Sequence, residues 1–298
     1  MPPPHGPARD LTTQRSDVSP RDVFITVYGR KPVLEALTDP ALNVDKVVVA
    51  ERARGESLQE ILDAAAGRGV PVQRVSAHRV KVLAGNGRHD QGVLADVVAP
   101  RMRPLDDALP HLAGPAAVLV LDAITNPANV GMILRTATAA GMDGVVLPRR
   151  GVPAIDPLVV KASAGVAFHA PVLRSASAAQ ACRSLSAAGF AVLGLSGSAP
   201  DAVSVFREAP HPGSAAQIDR TTRVAYVLGN ETSGISPAVA AQLTGWVTIP
   251  MAGGVESLNV ASAAAVVCFE WARRRAAHRH VPRDRSRPRK TGRRTGTR

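Results

Sequence analysis

Strands and helices alternate along most of this 298-residue chain, which predicts an α/β protein with a parallel sheet in its larger, C-terminal part. Two patterns carry the prediction. Residues 118–122, 144–147, 190–195, 224–228 and 246–249 are short, continuous apolar runs, as in strands buried on both faces. Helical patterns at 129–140, 155–164, 178–188, 236–243 and 257–275 follow or separate them, as crossover connections require. The length adds a third point: it allows two domains, each able to bury its own core.

The elements divide the chain. Residues 1–22 are polar, hold five prolines and lack an apolar stretch, so they read as disordered, with no signal peptide. Strands at 46–50, 71–75 and 93–98 with helices at 56–66 and 76–83 make a small α/β domain over 23–99. Pro100-Arg-Met-Arg-Pro104 opens a linker, 100–114. The large domain spans 115–276. Residues 277–298 form a basic tail that reads as solvated and disordered.

Charge and composition narrow the partners. The net charge is +12, but residues 271–298 hold eleven arginines and one lysine against one aspartate, so this C-terminal stretch carries +11. The body is nearly neutral, and any RNA contact there must come from local clusters. Aromatics make up 3 % of the chain, leaving little to stack nucleobases on. Cys182 and Cys268 stand far apart, which excludes a disulfide framework and a thiolate zinc site. The longest apolar stretch, 260–269, is too short to span a bilayer. These features point to a soluble cytoplasmic protein without a membrane segment.

Three stretches carry candidate chemistry. Residues 126–135 read NPANVGMILR after the first strand of the large domain. There Asn129 reads as an N-cap, and Arg135, off the apolar stripe with Gly131 and Thr138 beside it, leaves room for a ligand. A solvated arginine and an ordinary cap fit the same spacing. Residues 228–235 read LGNETSGI, which fits a turn before a helix. Residues 249–265 read IPMAGGVESLNVASAAA, a glycine loop with Glu256, Ser257 and Asn259 at the mouth of an apolar helix; a plain turn capped by Ser257 is the alternative. No dinucleotide fingerprint, P-loop, HExxH, histidine cluster or serine elbow is present, so no metal is expected.

Taken together, in this order and at these separations, the three stretches and Lys161-Ala-Ser-Ala-Gly165 resemble the motifs of the SpoU (TrmH-like) RNA 2′-O-ribose methyltransferases of the SPOUT superfamily. Residues 27–37, VYGRKPVLEAL, and 89–93, HDQGV, resemble the substrate-binding domain of the bacterial 23S rRNA guanosine 2′-O-methyltransferase (RlmB-like) branch. The resemblance implies a parallel-sheet domain with a C-terminal trefoil knot, otherwise almost absent from proteins, and a two-fold homodimer. It implies S-adenosyl-L-methionine as cofactor, bound at Leu228, Gly229, Ile249, Pro250, Met251 and Leu258. It makes Arg135 the catalytic arginine, with Glu231, Asn129, Ser257 and Asn259 around it. A guanidinium hardly ever deprotonates, so Arg135 is expected to hold phosphate or stabilise alkoxide charge, oriented by Asn129. Glu231 is then the carboxylate for orienting Arg135 or accepting a proton, while Ser257 and Asn259 bind substrate or orient Glu231. Arg30, Lys31, Arg88 and His89 are the expected RNA-binding cluster of the small domain, or else ordinary surface groups.

Three functions fit this reading: methylation of 23S rRNA, methylation of tRNA or a ribosome-targeting resistance methylation within the same family, and a catalytically silent assembly factor. The complete set of site residues favours an enzyme, and the N-terminal resemblance favours 23S rRNA. The tail's charge makes one prediction. Deleting residues 277–298 weakens RNA binding and flattens its salt dependence, since phosphate contacts are sequence-independent and salt-sensitive. The methylated nucleotide, mapped by primer extension, stays the same.

Overall fold

The computed structural model describes residues 22–85, 90–112, 114–206 and 223–279. Its first unit is a four-stranded sheet in the order β1-β4-β2-β3, from β1 (Phe24–Tyr28), β2 (Val44–Ala50), β3 (Val72–Val75) and β4 (Val93–Val98). β4 runs antiparallel to β1 and β2, and β3 parallel to β2. α1 (Arg30–Thr38) and α2 (Glu56–Gly67) bury Val33, Leu37, Leu58 and Ile61 on one face. α3 (Ala77–Ala84) sets Val80 against Tyr28, Val48 and Leu94 on the other. β1 and α1 extend the strands and helices read from the sequence; Gly29, at φ 92°, makes the turn between them.

The second unit is an eight-stranded sheet in the order β10-β12-β9-β11-β6-β7-β8-β5, with every pairing parallel. The five expected strands are β6 (Ala117–Leu121), β7 (Gly144–Pro148), β9 (Ala191–Leu195), β11 (Val224–Leu228) and β12 (Gly245–Thr248). Three short ones join them: β5 (Arg103–Pro104), β8 (Val172–Ser175) and β10 (Val203–Ser204). A two-residue strand has no periodicity to read, and β5 lies inside the stretch expected as a linker.

Both faces are covered, so the central strands β6 and β7 are apolar throughout. On β6, Ala117, Leu119 and Leu121 face α5 (Pro127–Ala139), α6 (Pro157–Ala162) and α9 (Val260–Arg279), while Val118 and Val120 face α4 (Leu105–Ala108), α7 (Ala178–Ala187) and α8 (Pro237–Ala240). Fully burying one such leucine or valine contributes about 1.5–3 kcal/mol. Helix boundaries follow local chemistry. α6 begins at Pro157 rather than 155 because Asp156 caps it, its Oδ1 accepting from Leu158 N at 2.9 Å and Val159 N at 3.0 Å. It ends where Ala164 (φ 52°) and Gly165 (φ 80°) turn left-handed.

Two charge clusters anchor the ends of the described chain. Asp22, 3 % exposed, pairs with Arg149 after β7 and lies 3.9 Å from Arg174 on β8. The last residue of the stretch expected to be disordered is therefore locked onto the large sheet; residues 1–21 lie outside the described residues, as do 280–298 of the tail. α9 itself runs on to Arg279, past the boundary drawn at 276. On α9, Glu270 accepts from Arg273 Nε at 2.8 Å and Arg274 Nε at 2.7 Å. Arg274 also donates to Val205 O, and Arg275 to Gly141 O at 3.1 Å. The C-terminal helix is thus tied to the end of β10 and to the turn after α5.

Burial alone would raise the Glu270 carboxyl, but the hydrogen bonds and charges of Arg273 and Arg274 outweigh it and hold the group below its ordinary value. A depressed carboxyl stabilises the fold above its unfolded pKa, near 4.3 for glutamate, and loses that contribution as pH falls through the folded value. Glu270→Gln is expected to cost about 2–3 kcal/mol at pH 7. In urea unfolding between pH 7 and 3, the gap between wild type and variant should narrow at the acid end.

Candidate active site

The site forms where the sheet changes direction. The chain steps outward from β6 through β7 to β8, then returns to the other side, and β11 is inserted between β6 and β9. Ligands bind at the carboxyl ends of strands at such a switch point. The loops after β6 and β11 meet there. Asn230 Nδ2 donates to Ala123 O at 2.9 Å, while its Oδ1 accepts from Thr232 N at 2.9 Å and Ser233 N at 3.1 Å. Asn230 N and Gly234 O pair at 2.9 Å, as do Gly234 N and Asn230 O. The loop closes so tightly over Gly229 that a Cβ there would lie 2.4 Å from the backbone of Gly234. Asp122, at the end of β6, accepts from Ser236 N at 2.7 Å and fixes the far side of the same loop.

A polar chain crosses this point. Asn129, 4 % exposed on the first turn of α5, donates through Nδ2 to Glu231 Oε1. Its Oδ1 accepts from Asn259 Nδ2 at 3.2 Å, and Asn259 Oδ1 accepts from Ala261 N at 2.9 Å. Residues from all three sequence stretches are thus joined through one buried amide. Two cap assignments change as a result. Asn126, not Asn129, caps α5, accepting from Ala128 N at 2.9 Å. Asn259, not Ser257, caps α9, which begins at Val260 rather than 257. Freed from capping, Asn129 turns inward to Glu231 and Asn259.

Beside this chain lies a cleft of about 880 Å³, a size suited to one small-molecule ligand. Leu228, Gly229, Ile249, Pro250, Met251 and Leu258 all line it, together with Glu231 and Ser257. The sequence reading missed its opposite wall, Leu195–Ser198 after β9, and Trp246 on β12. Gly197 carries the signal: a Cβ there would sit 2.6 Å from Glu256 O, so the chain after β9 and the glycine loop lie backbone to backbone. Sequence distance hid that approach.

Arg135 is exposed on α5 and is absent from the cleft lining. Six residues beyond Asn129, it lies about 9 Å further along the helix and some 120° around it. Gly131 does not open space for a ligand beside it: a Cβ there would meet Ala162 Cβ and Val159 O at 2.6 Å, because α6 packs against that face. Thr138 bonds back to Leu134 O at 2.7 Å.

In the first unit, Arg30 donates to Ser57 Oγ and to Arg54 O, both at 2.8 Å, and Lys31 lies 3.9 Å from Glu35. Arg30 is therefore partly engaged within its own unit; Arg88 and His89 lie outside the described residues. Among the described residues no group of three His, Cys, Asp or Glu could hold a metal ion, and no helix is long and apolar enough to cross a membrane. Burial pushes both thiols, Cys182 and Cys268, up to about 12, which leaves neither as a thiolate nucleophile near neutral pH.

A parallel sheet, a cleft at its switch point and a polar chain joining the three stretches can be compared with known proteins. The profile of the SpoU rRNA methylase family matches residues 116–269. The chain belongs to this family. A second profile, RNA 2′-O ribose methyltransferase substrate binding, matches residues 26–103, the four-stranded unit and the start of β5. The chain is 33 % identical over 252 residues to the 23S rRNA (guanosine-2′-O-)-methyltransferase RlmB of Xanthomonas axonopodis pv. citri, covering 84 % of this chain and 96 % of that one. Among solved structures it is similar to the SpoU methyltransferase AviRb of Streptomyces viridochromogenes in complex with AdoMet, with TM-score 0.56, 25 % identity and coverage of 86 % and 92 %. It is likewise similar to an rRNA methyltransferase from Sinorhizobium meliloti, with TM-score 0.55, 25 % identity and coverage of 85 % and 88 %.

The buried amide gives a prediction within this SpoU site. Asn129→Ala frees Glu231 and is expected to lower the methyl-transfer rate by roughly a hundredfold, with little loss of thermal stability. Asn129→Asp sets a second carboxylate against Glu231, and like charges disfavour ionisation. Its rate–pH profile should therefore shift to higher pH, a change that a purely structural asparagine would not produce.

Proposed function

We propose that this protein methylates the ribose 2′-hydroxyl of RNA, on a guanosine of 23S rRNA, using S-adenosyl-L-methionine. The observation that carries the reading is the cleft at the switch point, bounded by Gly229 and Met251 and opening beside Glu231. Family membership, the substrate-binding profile over the first unit and the likeness to a 23S rRNA guanosine methyltransferase over most of both chains support it. The cytoplasm, where ribosomal RNA is assembled, is the matching compartment.

The cleft suits the cofactor. Leu228, Ile249, Met251 and Leu258 offer apolar walls, and Gly229 leaves backbone exposed for hydrogen bonds to an adenine edge. When bound, S-adenosyl-L-methionine supplies a methyl group already activated for transfer. The protein's part is alignment and activation of the hydroxyl. Glu231, fixed by Asn129, is the carboxylate at the cleft able to orient the hydroxyl or take its proton. Ser257 meets the substrate at the cleft mouth, and Asn259 holds Asn129. Arg135 stays cationic, grips phosphate and stabilises alkoxide charge.

Because Arg135 is exposed and lines no part of its own cleft, it serves the cleft of a second copy in a two-fold dimer. Exposed Met132 on α5 and Phe269 on α9 supply apolar surface for that pairing. The C-terminal segment threads into a trefoil knot, a reading that the close approach of Gly197 to Glu256 supports.

The test combines chemistry with assembly. Arg135→Ala should keep its affinity for S-adenosyl-L-methionine, measured calorimetrically with EDTA present, and lose two to three powers of ten in single-turnover methylation of 23S rRNA, roughly 3–4 kcal/mol. Arg135→Lys should recover little, because an ammonium lacks the two-pronged grip. Equal mixing of Arg135→Ala and Glu231→Ala chains should restore about a quarter of wild-type activity, since half of the dimers then hold one intact site. Methylation by Arg135→Ala within about tenfold of wild type would remove Arg135 from the mechanism.

A further inference from the structure

The rim of the large sheet between the small unit and the cleft carries an unassigned cation. β7 ends at Pro148 and is followed by Arg149, Arg150 and Gly151. β7 lies beside β6 in the sheet, so this loop emerges one strand from the β6 loop and two from the β11 loop that carries Glu231. Gly151, at φ 83°, brings the loop against the backbone of Ala123, where a Cβ on Gly151 would sit 3.5 Å from Ala123 Cα. Ala123 O is the acceptor for Asn230, the residue before Glu231. With strands spaced about 4.8 Å apart, the loop lies about 10 Å from the Glu231 loop. The small unit reaches the same rim through Asp22, paired with Arg149.

Four carboxylates near this rim have partners within the chain. Asp22 takes Arg149 and neighbours Arg174. Asp122 accepts from Ser236 N. Asp156 caps α6. Glu231 is held by Asn129. Arg150 is exposed, and no ion pair involves it among the described residues. Arg150 therefore places an exposed guanidinium without an ion pair among the described residues on this rim, next to the loop that meets Ala123.

We propose that Arg150 is a phosphate contact for the RNA strand as it passes from the small unit to the cleft. Arg149, anchored by Asp22, fixes the loop and so aims Arg150 outward. The inference rests on the RNA methyltransferase reading and adds a specific subsite to it. Arg150 contributes affinity and register rather than chemistry, because phosphate contacts position nucleic acid without reading its sequence.

The experiment compares wild type, Arg150→Ala, Arg150→Lys and Arg183→Ala, the last removing an exposed charge from α7 as a control for net charge. Binding of in vitro transcribed 23S rRNA is measured across a salt series, alongside methylation at saturating RNA. Arg150→Ala should weaken RNA binding about five- to tenfold and reduce the slope of log K against log salt by about 0.7–0.9. Its kcat and its affinity for S-adenosyl-L-methionine should stay within about twofold of wild type. Arg150→Lys should keep most of the affinity, and Arg183→Ala should change little. A wild-type salt slope in Arg150→Ala overturns the proposal, as does an equal effect in Arg183→Ala or a loss of kcat at unchanged RNA affinity. If the wild-type enzyme methylates no 23S rRNA, the functional reading fails instead; the binding slopes report on Arg150 independently of turnover.

Discussion

The insertion of β11 between β6 and β9 is the constraint on which the site depends. A parallel sheet built in simple succession would place the loop after β11 at an edge. Here it is held against the loop after β6, and Asn230 and Asp122 lock the two together. Sheet geometry then dictates that the carboxyl ends of β9, β11 and β12 open into one cleft. β6 and β11 are buried along their whole length, so the loops that follow them rest on a support with little freedom to shift.

On that support, one buried side chain gathers the chemistry. Asn129 has a donor and an acceptor, and both are used, toward Glu231 and Asn259. A buried amide with either end unsatisfied would cost about 1–3 kcal/mol. The arrangement is therefore self-selecting: α5, the β11 loop and the start of α9 must reach their final positions together. The same bond holds the carboxylate at the mouth of the cleft instead of leaving it to rotate in solvent.

The C-terminal helix completes the assembly. Its first residue, Val260, lines the cleft, while its last described side chains tie Val205 and Gly141 through Arg274 and Arg275. α9 therefore spans from the site to the far side of the large unit.

The sequence by itself marked the long strands of the large sheet and the three stretches that come together at the cleft. Continuous apolar runs at 118–122, 144–147 and 224–228 read as strands covered on two sides, and the order and separation of NPANVGMILR, LGNETSG and IPMAGGVESLNV pointed to three stretches that belong to one site. What periodicity could not express was left to tertiary structure. The two-residue strands β5 and β10 exist only because a longer neighbour offers them hydrogen bonds. The inward turn of Asn129 follows from Asn126 taking the cap. The space at Gly131, expected to leave room beside Arg135, is instead filled by α6. The close approach of Gly197 to Glu256 joins segments some sixty residues apart by backbone contact, which no pattern of side chains records. Local sequence fixes periods and caps because those forces act within a turn or two. The closing of the cleft required contacts between distant segments, and only the packed sheet decides which of them touch.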